Sequence, residues 1–404
     1  IQIGTIRGAV TDANNALIPN ARVNLSNNLT GFQAAAATDE NGEFVFNNVP
    51  FDIYELRISA NGFAAAIAQI EVRSTIPGIT TQNNGLLHVR GVEDGILYVA
   101  NGVPTTDRID AVSASSFDIG TVRSVQVITG NFPAEFGGRS GAVAIVQAKS
   151  GVDENLRGEF TASGGNFRTA DAAGAIAYGW RKRFGIFAAG AGSRSDRFLD
   201  PVDERNFNNR GSRRNFSFRA DWQPTARDFL FFDFGINGSD LRVPNDFEQE
   251  TAGQNQRQEL RDNNQSISWQ RAWNNSTATN LIWFRRNYES DLFPSAFDIP
   301  ISATQDRSQS RSGVIGSVSH SAGGNSLKAG FEATRINVRE FFRFVITDVE
   351  LAEDREISDA AQAFTPDNPF VFQDSRRGSY FAAYIQDEFS LFRNFTVSAG
   401  LRYE

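Results

Sequence analysis

The chain has 404 residues, a formal net charge of −8, 35 Phe, 35 Gly, and neither cysteine nor methionine. The missing cysteines exclude disulfides, thiol catalysis and cysteine-based zinc sites, and two histidines far apart in sequence, His88 and His320, offer neither a metal cluster nor a histidine-based triad. Arginines are scattered among acids with no basic block, which argues against nucleic acid as a partner, and no run of about eighteen apolar residues offers a transmembrane helix. A barrel strand exposes only every second residue to lipid, so low average hydropathy does not exclude a membrane. With no methionine and no signal peptide at Ile1, the sequence reads as a mature or excised piece.

Residues 1–73 read as a small β-sandwich. Strand-like runs (GTIRGAVTD, PNARVNLSN, TDENGEFVFNNVP, YELRISANGF, AAAIAQIEV) are separated by turn signals, with Asn41-Gly42 the strongest. Residues 74–151 form a second unit. LLHVRG and ILYVANGVP are strands, the latter turning at Asn101-Gly102. The polar stretch Thr105–Gly120 has room for a short helix around Ala111–Phe117. Val122–Thr129 and Ala142–Lys149 alternate around a glycine-rich connector, Gly130–Gly141, as a hairpin whose Val125, Val127, Ala142, Ile145 and Val146 suit a half-buried face.

From Asn155 the rhythm changes to segments of about ten residues with period two, the pattern of a transmembrane β-barrel. FTVSAGLRYE places Phe395, Val397, Ala399, Leu401 and Tyr403 on one face and Thr396, Ser398, Arg402 and Glu404 on the other. Short connectors (Trp180–Arg183, Pro224–Asp228, Asn274–Thr277, Ala322–Asn325, Phe392–Asn394) alternate with long ones (Arg194–Ser212, Asp240–Asn263, Glu289–Ser310, about Phe344–Gly378). About eleven strands fit before Glu404, half of the roughly twenty-two that enclose a plugged lumen. Trp180, Trp222, Trp273, Tyr288 and Tyr403 near strand ends suit an interface girdle.

Three motifs carry a resemblance. LHVRG, LYVANGVP and VRSVQVITGNFPAEFGGRSGAVAIVQAKSG, in that order, resemble the plug of TonB-dependent outer-membrane receptors. The Ala-Glu-Phe-Gly form at 134–137 is closest to the Oar-like branch. YIQDEF and GLRYE resemble barrel strands of the same receptors, and residues 1–73 resemble the carboxypeptidase regulatory-like (transthyretin-like) domain. The resemblance implies an all-β chain: a periplasmic sandwich at 1–73, an α+β plug at 74–151, and the N-terminal half of an antiparallel transmembrane barrel at 152–404, about eleven of about twenty-two strands. It implies a non-enzymatic, plug-gated receptor taking up a ligand too large for porins, with outer-membrane lipid and the TonB–ExbB–ExbD complex as partners and no cofactor. Arg90, Asn101, Gly102 and Glu135 fall where the plug is held to the barrel wall, Asn101 standing where the family commonly has Asp. The family's TonB box has no counterpart between the sandwich and the plug. The apolar IAQIEVRS (Ile67–Ser74) reads as the last sandwich strand, and an Oar-like surface protein for adhesion or secretion is the alternative. The acidic run Asp348–Glu356 lacks the spacing of a cation loop and reads as a solvated outer loop.

Overall fold

The computed structural model describes residues 3–11, 17–26, 33–50, 52–63, 65–72, 79–81, 87–89, 96–105, 121–138, 141–152, 154–392 and 395–404. The chain divides into two compact units, the first comprising residues 1–80 and 164–167, the second 81–163 and 168–404.

In the first unit, β1 (Ile3–Ala9) pairs with β4 (Glu43–Pro50), while β3 (Gln33–Ala37), β2 (Arg22–Ser26), β5 (Asp52–Ser59) and β6 (Ala66–Val72) form a four-stranded sheet in that order. Alternation decides what is buried: Phe44 and Phe46 go inward with Val23, Leu25 and Tyr54, and Val45 between them is exposed. Gly42 takes φ +68°, as the predicted Asn41-Gly42 turn requires, and the Asp39 carboxylate accepts from the backbone N–H groups of Asn41 and Glu43. Ile67–Val72 lies in β6, paired antiparallel with β5. β7 (Ile79–Thr81), at the end of this unit, and β8 (Leu87–Val89), in the second, are short.

The second unit contains two sheets. The smaller has four strands in the order β10 (Val103–Pro104), β9 (Ile96–Ala100), β12 (Ala142–Ala148), β11 (Val122–Ile128). The expected β11–β12 hairpin is present, and β12 also pairs in parallel with β9. That parallel pairing buries Ala142 and Val146 and packs Leu97, Val99 and Val143 against Ile128, Phe132, Phe136 and Ile145. Val125 is instead 56% exposed. β11 is the edge of this sheet, and Val127 is half-buried as expected while its cross-strand partner Ala144 is buried, so Val125 alone departs from the expected face. The helix expected around 111–117 falls outside the described residues.

The larger sheet is an eleven-stranded antiparallel meander in strict chain order: β13 (Arg157–Gly165), β14 (Thr169–Trp180), β15 (Phe184–Ser195), β16 (Gly211–Trp222), β17 (Asp228–Arg242), β18 (Arg257–Ala272), β19 (Thr277–Phe293), β20 (Ile301–Ala322), β21 (Asn325–Ile346), β22 (Phe370–Phe392) and β23 (Phe395–Tyr403). Side chains sort by parity. One face carries exposed Ile176, Phe216, Ile236, Ile267, Trp283, Phe381 and Leu401. The other carries Arg219, Asp221, Asp233, Asp262, Arg286 and Arg402, with the small sheet seated against it. Among the described residues no helix is long and apolar enough to cross a membrane.

Short turns alternate with the longer connections 196–210, 243–256, 294–300 and 347–369, but several strands outrun their predicted ends. β20, β21 and β22 have 22, 22 and 23 residues, about twice what crosses a bilayer. Residues 301–310 and 370–378, expected in loops, continue the ladder. Backbone pairing does not depend on hydropathy, so a stretch such as 301–310, largely polar on both faces, leaves no contrast in the sequence. Trp180, Trp222, Trp273 and Tyr403 are exposed near strand ends as a girdle requires. Tyr288 is 1% exposed on the inner face, packed with Leu241 and Leu260, because an even residue number on β19 points inward.

Two of the longer connections hold short helices: α1 (Phe247–Ala252) in 243–256, and α2 (Val349–Asp354) and α3 (Asp359–Gln362) in 347–369. The acidic run 348–356 forms α2, capped by Asp348. Arg355 then bridges to Asp246 at 2.6 Å and Glu248 at 2.9 Å, joining connection 347–369 to 243–256. In 196–210, Arg205 donates to Asp203 (2.8 and 2.6 Å) while its guanidinium lies over Phe207 and Phe247. The Arg205 side chain, with its backbone N–H, holds the Asp203 carboxyl down at about 2. A depressed folded value contributes order above the usual carboxylate range and loses it as pH falls through about 2. Proteolysis of this connection is therefore expected to stay constant from pH 7 to 4 and rise only toward pH 2, and Asp203→Asn is expected to abolish that pH dependence.

Candidate functional site

The inner face of the large sheet meets the small sheet at three places. The first is built on the turn between β9 and β10. Asn101 and Gly102 take φ +48° and +86°, two left-handed residues in succession, which Asn-Gly tolerates best. A Cβ on Gly102 would stand 2.7 Å from Ile282 Cδ1, so the turn sits directly on β19. Asn101 uses both halves of its amide. Its Oδ1 accepts from the Ala148 N–H of β12 at 2.9 Å, and its Nδ2 donates to Asp233 Oδ1 of β17 at 3.1 Å. An Asp here has no donor to offer Asp233, which gives a physical reason for Asn at this position.

Around that turn lies a buried polar cluster. Arg219 Nε donates to Asp221 Oδ1 at 2.8 Å and Arg219 Nη1 approaches Asp233 Oδ1 at 3.5 Å. Ser150, just past β12, donates to Asp221 Oδ2 at 2.6 Å. Asp221 is 0% exposed. Isolated charges at such depth are prohibitive, and here each acid has a guanidinium beside it.

The second contact is apolar above and ionic below. Val103 packs against Ile282 and Phe284 of β19. Arg286, two residues on, forks onto Asp262 through Nε and Nη2 (both 2.9 Å) and donates through Nη1 to the Thr105 carbonyl.

The third contact involves the connector between β11 and β12. Glu135 pairs with Lys328 Nζ of β21 at 2.5 Å, and its backbone N–H donates to Gln386 Oε1 of β22 at 3.3 Å. Arg402 of β23 donates to the carbonyls of Ala134 (3.3 Å) and Glu135 (2.9 Å). The approach is close on both sides, and at Gly400, which faces Cβ atoms that cannot swing away, it requires glycine. A Cβ on Gly137 would fall 1.8 Å from Glu404 Oε1, and one on Gly400 would fall 2.8 Å from Ala134 Cβ. Beside these contacts is a cavity of about 1150 Å³ lined by both sheets, with Arg219, Lys328, Glu332, Tyr380, Tyr384 and Arg402 among its polar walls.

Of the four residues singled out from sequence, Asn101, Gly102 and Glu135 lie at these contacts, while Arg90 lies outside the described residues. The wall residues Arg219, Asp221, Asp233, Lys328 and Arg402 were not singled out. Their signal is charge at inward parity in strands whose other face is apolar, and it is readable only once the inward face is known.

Residues 5–92 match the carboxypeptidase regulatory-like domain family, a stretch that runs past β6 and includes β7 and β8. No curated protein sequence matches the chain. Among solved structures it is similar to the alcaligin outer-membrane receptor FauA from Bordetella pertussis, at 14% identity and a TM-score of 0.58 over 81% of this chain and 50% of that one. The siderophore receptor PiuA from Acinetobacter baumannii gives 12% and 0.58 over 81% and 54%. The copper transporter OprC gives 16% and 0.61 over 81% and 50%. The chain spans about half the length of these structures. Residues 5–92 thus match a carboxypeptidase regulatory-like domain, and the chain shares the fold of these outer-membrane receptors and transporters over about half of their length.

Proposed function

We propose that this chain is part of an outer-membrane receptor that takes up a ligand too large for porins. In this reading residues 1–73 form a periplasmic domain, 74–151 the plug and 152–404 the first half of the barrel wall. The observation that carries it is the seating of the small sheet on a polar inner face whose reverse is apolar. A soluble sandwich needs the opposite arrangement, with its apolar faces turned inward. The contacts themselves fit a plug that is held yet releasable. They are hydrogen bonds and ion pairs, directional and exchangeable for water, with one apolar contact at Val103. Asn101, Gly102 and Glu135, joined by Asp233, Lys328 and Arg402, act as the lock. Energy from TonB would shift the plug and open a path along the wall, and the outer connections would capture the ligand.

The absence of cysteine from the chain makes a direct test available. Glu135→Cys with Lys328→Cys places two thiols across the third contact, in place of side chains that meet end to end, within reach of a short cleavable bis-thiol linker. In the full-length protein the linked pair is expected to abolish TonB-dependent uptake and cleavage of the linker to restore it. Uptake untouched by the bridge excludes plug gating at this contact. Function without TonB favours the Oar-like reading of adhesion or secretion, and recovery of the protein as soluble periplasmic material ends the receptor reading altogether.

A further inference from the structure

The apolar outer face of the large sheet ends abruptly, at one register, on five adjacent strands. Ile267, Trp283, Val314, Ala333 and Phe381 lie directly opposite one another across β18 to β22. One outward position farther toward the longer connections, the row becomes Gln265, Arg285, Ser312, Arg335 and Ser379. The next contains Asn287, Ser310, Asn337 and Arg377. Arg285 and Arg335 are therefore two strands apart in one row, about 10 Å, with the Ser312 hydroxyl between them, and Arg377 is the diagonal neighbour of Arg335.

All three arginines are exposed, and none has a carboxylate partner among the described residues. Their neighbours differ. Farther from the apolar band on the same face, Arg261 pairs with Glu259 and Arg339 with Asp306. At the short-turn border of the band, Arg271 pairs with Asp228 at 3.1 Å. Arg214 repeats the pattern on β16: it is the first outward residue beyond Phe216, exposed and without an ion-pair partner among the described residues. Exposed arginines without an ion-pair partner among the described residues also sit in the short turns, at Arg181, Arg183 and Arg227, but Arg285, Arg335 and Arg377 share one outward patch on β19, β21 and β22.

We propose that Arg285, Arg335 and Arg377, with Ser312, form a docking surface for the phosphates of an anionic lipid in the outer leaflet. The inference rests on the membrane-embedded reading above. Acyl chains would lie along Trp283, Phe331 and Phe381, and the headgroup would meet the arginines one register out. A guanidinium grips a phosphate with two parallel N–H donors, and at a membrane surface each added arginine strengthens attraction to anionic lipid. A protein occupant would have to bury the apolar row beneath the arginines as well. Lipid covers both with one molecule.

The test titrates the full-length protein, in detergent micelles, with phosphatidic acid and separately with phosphatidylcholine, counting bound lipid by native mass spectrometry. The wild type is expected to favour phosphatidic acid at least tenfold, the scale two or three interfacial arginines carry. R285Q/R335Q/R377Q is expected to bring the ratio within about twofold, and R261Q/R339Q, which removes only acid-paired arginines, to leave it unchanged. Retention of the preference by the triple variant, or equal binding of both lipids by the wild type, overturns the proposal. Flotation with phosphatidylcholine vesicles separates the two claims. A protein that floats but shows no preference keeps the membrane reading and loses the lipid site. One that does not float loses both. Heat-modifiable migration of each variant on gels confirms that its barrel is folded.

Discussion

Asp221→Ala is expected to destabilise the plug-and-barrel unit by about 3–5 kcal/mol, the usual effect of removing one partner from a buried ion pair. Asp221 is fully buried and holds two groups at once, Arg219 at 2.8 Å and Ser150 at 2.6 Å. Without it Arg219 keeps its place over the Phe231 ring and the longer contact to Asp233 at 3.5 Å, and the segment leaving β12 loses its anchor on the wall. Asp221→Asn keeps an acceptor for Ser150 or Arg219 and is expected to lose less. Ser150→Ala deletes a single hydrogen bond and is expected to lose about 1–2 kcal/mol. Denaturant midpoints of the three variants in detergent rank them. An Asp221→Ala midpoint equal to wild type would show that the cluster contributes nothing to seating the plug.

Gly151→Val is expected to prevent the plug and wall from forming together. Here the chain passes from the small sheet to the large one, and backbone lies on backbone. A Cβ at 151 would stand 2.0 Å from the Ile186 carbonyl oxygen. The facing residues are glycines too: Gly179 and Gly185 are cross-strand partners in β14 and β15. A Cβ on either would come within 2.5 Å of the backbone at 151–152. No rotamer relieves a clash with a carbonyl, so the segment must lift off, losing the 2.8 Å bond from Gly179 N–H to the Glu154 carbonyl. The loss is about 3 kcal/mol or more, read as a drop in the heat-modifiable fraction. Gly378→Val is the control. A Cβ there meets nothing within 4 Å, and the change is expected to stay within about 0.5 kcal/mol. Equal yields for both variants would show that the close approach at Gly151 is not needed.

The border of the apolar band and the ends of the strands follow different rules, and that explains which predictions needed correction. Trp180, Trp222 and Trp273 belong to a surface that hydropathy marks, and they lie at the ends of exposed apolar runs as the sequence implied. Tyr288 looks the same in one dimension, yet parity turns it inward. Residues 301–310 are largely polar on both faces, so nothing in them separates strand from loop until the neighbouring strand supplies its hydrogen bonds.

Period-two patterning and turn residues were enough to establish, without coordinates, the strand count, the short-turn and long-connection alternation, the Asn101-Gly102 turn and the hairpin of β11 and β12. Those features are local: each depends on residues within a few positions of one another. The parallel pairing of β9 with β12, the cluster of Arg219, Asp221, Asp233 and Asn101, the Glu135–Lys328 pair and the row holding Arg285 and Arg335 depend on segments brought together from as much as 193 positions apart. Which charges meet across such a gap is set by strand register, a property of the assembled sheet that no single stretch of sequence carries.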